Sequence, residues 1–98
     1  MLEIGYGEGG VIFFAGRFDA AQCARAQAFV DAASDPRVFD FSQLEYISSA
    51  GLGVLLRTQK RLQASGVRLK LLNVNNHIYD IFRYSGFDQL FEVTRQGT

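Results

Sequence analysis

A chain of 98 residues, 48% apolar and with nine phenylalanines, has the length and composition of one globular domain, spanning residues 1–98. Ten Lys and Arg balance ten Asp and Glu without a charged block, which argues against nucleic acid or an anionic membrane as partner, since both need a clustered positive field. There is no apolar run of the roughly 18 residues a membrane span needs, no basic region of a signal peptide in Met1-Leu2-Glu3-Ile4, and one cysteine, Cys23, which rules out an internal disulfide and points to a reduced, cytoplasmic setting.

Leu2-Glu3-Ile4-Gly5-Tyr6 alternates and predicts an edge strand, and Gly7-Glu8-Gly9-Gly10 is turn chemistry. The continuous apolar run over 11–15 predicts a buried strand that Gly16-Arg17-Phe18 breaks. Asp19 then reads as a helix N-cap, with Gln22 three residues on completing a capping-box pattern. That helix covers 20–33 and stops before Ser34-Asp35-Pro36; within it Cys23 reads as a small hydrophobe. A strand over 38–41 runs into a loop, and Ser48 and Ser49 then open an apolar helix over about 50–64. Its Leu52, Leu55, Leu56 and Leu62 share a stripe, and Gly66 is placed as a C-cap. A strand over 67–72, a helix over 75–84 stopped by Ser85-Gly86, and a strand over 90–93 complete the chain.

The order β-β-α-β-α-β-α-β predicts an α/β domain with a mostly parallel five-stranded sheet and one antiparallel edge strand. Val67-Arg68-Leu69-Lys70-Leu71 alternates cleanly, so Arg68 and Lys70 face water. Right-handed crossovers between neighbouring strands put the helices mainly on one face.

Little in the chain looks like catalysis. Gly5-x-Gly7-x-x-Gly10 matches the dinucleotide-binding string but precedes a strand instead of opening a helix, so it reads as a turn between antiparallel strands. A small nucleotide-binding enzyme would rest on those misplaced glycines alone. There is no phosphate-cradling loop and no nucleophile elbow, since the residue two before Ser49 is Ile47. His77, the one histidine, reads as a surface residue in a first helical turn. One His and one Cys make no structural zinc site, and the expectation is a protein without enzyme activity, cofactor or metal. A serine opening a helix has two readings. It is an N-cap, or it is a phosphorylation site, because a phosphate there meets unpaired N–H groups and the positive end of the helix dipole. Arg57, Lys60 and Arg61 likewise read as a solvated face or as a docking surface for a partner protein.

Asp40-Phe41-Ser42, followed by Tyr46-Ile47-Ser48-Ser49-Ala50-Gly51-Leu52-Gly53-Val54-Leu55-Leu56, resembles the signature of STAS-domain anti-sigma factor antagonists. Gly16-Arg17-Phe18-Asp19 resembles that family's turn after the second strand, and Tyr84-Ser85-Gly86-Phe87-Asp88-Gln89-Leu90-Phe91 resembles the segment leading into its last strand. The resemblance implies a single STAS domain acting as a binding switch in partner switching. Its partners would be an anti-sigma factor that is also a serine kinase of GHKL type, and a PP2C-type phosphatase. It would be a monomer or weak dimer. It also implies the site. The phosphorylated serine lies two residues before the glycine, which is Ser49; the position the family usually gives to Asp is Ser48. Asp19, Ser48, Ala50, Gly51, Leu52, Gly53 and Arg57 would form the partner surface, with Gly51 and Gly53 leaving the first helical turn bare. Members often carry a fourth helix after the last strand, for which Thr94-Arg95-Gln96-Gly97-Thr98 is too short. The alternative within the resemblance is a STAS scaffold that works without phosphorylation, such as the small subunit of a lipid-transport ABC system.

Overall fold

The computed structural model describes residues 1–33 and 36–96. Five strands, β1 (Leu2–Tyr6), β2 (Ile12–Phe18), β3 (Val38–Ile47), β4 (Lys70–Val74) and β5 (Glu92–Arg95), form one sheet in sequence order. β1 is antiparallel to β2 and every other neighbour is parallel. The α-helices are α1 (Cys23–Ala32), α2 (Ser49–Gln63) and α3 (Asn76–Ser85). Each lies in a crossover between adjacent parallel strands, and right-handed crossovers in that order stack helices on one face. Accordingly Ala26 and Val30 of α1, Val54, Leu55 and Leu62 of α2, and Ile78 and Phe82 of α3 share one core with Phe14, Phe39 and Leu71 of the sheet. The opposite face carries exposed Glu3, Arg17, Glu45 and Lys70, and Arg68 is exposed as expected.

The expected fold class holds, and several boundaries move for physical reasons. Gly16-Arg17-Phe18 does not end β2. Gly16 takes φ +93 inside the strand, where a Cβ would lie 2.5 Å from the Met1 carbonyl oxygen, and the strand continues to a fully buried Phe18. β3 is ten residues long and absorbs the segment read as a loop. Phe13 pairs with Asp40 but Ala15 with Gln43, and Gly16 pairs with Leu44 but Arg17 with Tyr46. Each step inserts one extra residue in β3, a bulge that resets the alternation so that Phe39, Phe41, Leu44 and Ile47 all reach the core. Asp40 fastens the first bulge: its carboxylate accepts from the Ser42 N–H at 3.0 Å, the Ser42 hydroxyl at 3.2 Å and the Asn73 amide at 3.1 Å.

The fourth strand begins at Lys70 instead of Val67. Before it, buried Gln59 of α2 stands in for a ladder, accepting from the Leu69 N–H at 2.8 Å and donating to the Val67 carbonyl at 3.1 Å. The last strand likewise starts later, because residues Phe87–Gln89 form a 3-10 turn. The buried stripe of α2 is Val54, Leu55, Thr58, Gln59 and Leu62; Leu52 and Leu56 are only half-buried at its edge. Ser34 and Asp35, expected to stop the first helix, lie outside the described residues, as do the last two of the C-terminal stretch judged too short for a helix.

Candidate functional site

Parallel neighbours place their C-terminal ends together, the edge at which α/β folds build sites. Here Phe18 at the end of β2 pairs with Ile47 at the end of β3. The Ser48 N–H donates to the Phe18 carbonyl at 2.9 Å, so the turn holding Asp19 and the start of α2 emerge side by side. α3 opens at the same edge after β4. Its N-cap Asn75 accepts from the Ile78 N–H at 2.9 Å and donates to the Leu44 carbonyl at 3.0 Å. His77 is exposed in the first turn of that helix.

The two serines divide their work. Ser48 is the N-cap of α2, in extended conformation, and its hydroxyl accepts from the Gly51 N–H at 3.1 Å. Ser49 is the first helical residue and is exposed, so its hydroxyl stands outside the cap at the positive end of a fifteen-residue helix. Ala50 beside it is also exposed, and Leu52 is half-buried against the core.

Gly51 plays a different part from the one the sequence suggested. It is buried, and a Cβ there would meet Ile47 Cγ1 at 2.9 Å and the Phe18 carbonyl oxygen at 3.1 Å. Its missing side chain serves the seating of α2 on the ends of β2 and β3, not the approach of a partner. Gly53 is half-buried, and its bare backbone is crossed by Arg57, whose Nη1 would lie 3.3 Å from a Cβ.

Asp19 departs from its expected capping role. It precedes a 3-10 turn over Ala20–Gln22, and its side chain makes no capping hydrogen bond. The capping-box pattern needs an α-helical first turn to bring the third residue back, and the tighter 3-10 turn leaves only the backbone bond from the Gln22 N–H to the Asp19 carbonyl at 3.1 Å. Asp19 Oδ1 is buried and has no hydrogen-bond partner among the described residues.

Cys23 and Gln27 complete the site, and reading the sequence missed their roles. The signal was the spacing of four from Asp19 to Cys23 to Gln27, one face of a helix. The Cys23 thiol donates to the Asp19 carbonyl at 3.4 Å. Burial pushes its pKa up, with Asp19 adding to the rise while Arg57 and a hydrogen bond with Ser48 work against it. The thiol is thus held protonated, as a small apolar filler should be. Arg57 Nε donates to Gln27 Oε1 at 3.1 Å. Arg61 donates to the Val30 carbonyl at 3.1 Å and lies 3.8 Å from the Asp31 carboxylate. The two arginines of the basic face therefore stitch α2 to α1, while Lys60 is exposed. Among the described residues no group of three or more His, Cys, Asp or Glu is placed to hold a metal, and no helix is long and apolar enough to cross a membrane.

A five-stranded mixed sheet with a capped, serine-bearing helix start at its C-terminal edge defines a class that comparison makes specific. The family model described as "Mlab, STAS domain" matches residues 6–93. The chain belongs to the STAS domain family. It is 39% identical over 70 residues to BtrV of Bordetella bronchiseptica, which is assigned by name as an anti-sigma factor antagonist; the match covers 71% of this chain and 60% of that relative's length. Its fold superposes on the unphosphorylated anti-sigma factor antagonist SpoIIAA with a TM-score of 0.69 at 18% identity, covering 100% of this chain and 90% of the other. An anti-sigma factor antagonist from Mycobacterium paratuberculosis gives 0.80 at 20% identity, covering 100% and 86%. The resemblance read from the serine motif thus holds at the level of the family.

Proposed function

We propose that this domain is an anti-sigma factor antagonist: it binds an anti-sigma factor that is also a GHKL-type serine kinase, and phosphorylation of Ser49 switches that binding off. A PP2C-type phosphatase restores it. The observation that carries this reading is the division of labour between the serines. Because Ser48 supplies the cap, Ser49 is free to accept a phosphate without loss of a fold contact. In the transfer the Ser49 hydroxyl oxygen attacks the γ-phosphorus of ATP. Its O–P bond forms as the bond from that phosphorus to the β,γ-bridging oxygen breaks, the hydroxyl proton passes to base, and ADP leaves. Around Ser49 the partner surface comprises Asp19, Ser48, Ala50, Leu52, Gly53 and Arg57; Gly51 supports it from below.

Purification of the chain at native level with its partners, followed by phosphosite mapping, tests the reading. The expected partner is a GHKL-type kinase and the expected phosphate is on Ser49, lost in Ser49→Ala and largely kept in Ser48→Ala. Phosphate on Ser48 alone sinks the site, and capture of an ABC ATPase in place of a kinase replaces the function with the scaffold reading.

Asp19 supplies a second test. A buried carboxylate oxygen without a donor is costly to leave unmatched, and a partner's cation or N–H would satisfy it. Since its side chain caps nothing and Asn removes a charge whose buried oxygen has no donor, Asp19→Asn is expected to hold or raise stability while lowering kinase affinity. Unchanged affinity by calorimetry would remove Asp19 from the partner surface.

A further inference from the structure

Ser49, Gly53 and Arg57 are spaced four apart on α2, so they follow one another along one side of the helix. Helical side chains lean toward the N-terminus, and Arg57 leans back over Gly53 with Nη1 3.3 Å and Cζ 3.9 Å from where a Cβ would stand. Any larger residue at 53 would occupy that path. The guanidinium therefore lies within about 6 Å, one helical turn, of the Ser49 level along the axis. Among the described residues its anchor is a hydrogen bond from Nε to the neutral, exposed amide of Gln27. Arg61, the other arginine of this side, is committed to the Val30 carbonyl and Asp31.

We propose that Arg57 is a built-in receptor for phosphate on Ser49: on phosphorylation its guanidinium leaves Gln27 and clamps the phosphoryl oxygens across the bare backbone of Gly53. This rests on Ser49 being the modified residue. A planar fork of N–H donors binds a phosphate dianion in paired, charge-assisted hydrogen bonds, which outweigh one bond to a neutral amide. The helix dipole attracts the same dianion from below. Cys23 of α1 is an ionisable group within electrostatic reach of Arg57, and the Asp31 carboxylate lies beyond Gln27, accepting from its amide at 3.0 Å. The first is a thiol whose pKa burial pushes up, and the second is a carboxylate already engaged by Gln27 and Arg61. The clamp makes the switch double. Phosphorylation adds negative charge at the centre of the partner surface and withdraws a positive group from its rim. It also frees Gln27, whose amide already donates to Asp31 at 3.0 Å within α1.

The test uses the full chain with phosphoserine installed at position 49 during translation, so that no kinase is needed. In a phosphorus NMR titration the phosphate of the parent protein is expected to lose its second proton about 0.5 pH unit or more below that of Arg57→Gln. Arg57→Lys should fall between, keeping the charge without the fork. The Arg57 Nε–H resonance should also shift between the unmodified and phosphorylated proteins as its Gln27 contact is lost. Gln is a good helix former at this exposed position, so the variant should fold, which circular dichroism checks. Superimposable titrations of the parent and Arg57→Gln proteins would overturn the clamp while leaving Ser49 as the switch. A kinase that modifies another serine would overturn the switch whatever the titration shows.

Discussion

Phosphorylation of Ser49 is expected to weaken binding of the anti-sigma factor kinase by about 100-fold or more, with the domain still folded. The phosphate brings about −1.5 to −2 charges and a tetrahedral group to an exposed residue in the first turn of α2. Repulsion, desolvation and steric exclusion need to remove only about 3 kcal/mol to give that factor. The fold is spared because the hydrogen bond that starts α2 belongs to Ser48 and Gly51, not to Ser49. For the same reason Ser49→Asp should change stability by under about 1 kcal/mol, with the new carboxylate favourably placed in the first turn of the helix. Its binding defect should be the smaller of the two, since it carries one charge and no tetrahedral group. Calorimetry of the three forms against the kinase decides the matter, and equal affinities would reject the switch.

Phe14→Ala is expected to cost about 3–5 kcal/mol, a large share of the total stability of a domain this size. Phe14 is fully buried in the middle of β2, with ring centroids 4.9 Å from Phe39, 5.2 Å from Phe41 and 5.4 Å from Phe18. Truncation opens a cavity among three rings held by β2 itself and by the paired β3, which cannot collapse into it. The effect should reach the switch, because Phe18 is part of the seat on which Gly51 and the first turn of α2 rest. Denaturant unfolding measures the loss. Phe14→Leu, closer in volume, should lose much less. A Phe14→Ala protein as stable as the parent would show that these rings are not the centre of the core.

Local chemistry was legible in the sequence. Alternation marked β1, the Gly-rich turn marked the antiparallel hairpin, and Ser85-Gly86 marked the end of α3, because each signal sits within a few residues. Two serines before an apolar helix marked a helix start for the same reason, while the choice of Ser49 over Ser48 came from the family resemblance and not from local chemistry.

What the sequence could not give depends on residues far apart along it. β3 looked short because its two bulges break the period of two, and only pairing with β2 shows that Leu44 and Ile47 still face the core. Asp19 carries a capping pattern, but the segment after it is a 3-10 turn that its side chain does not cap, and its Oδ1 is buried without a donor among the described residues. Gly51 looked like bare backbone for a partner, and only the approach of Phe18 and Ile47 shows which way it faces. Arg57 read as solvated charge or as part of a docking surface. Its hold on Gln27, 30 residues away on another helix, exists only once right-handed crossovers have laid α1 and α2 side by side on the sheet. The chain by itself determined that two adjacent serines open α2. The tertiary fold decided which serine was left free, because a cap bond and a strand-end hydrogen bond both fell to its neighbour Ser48.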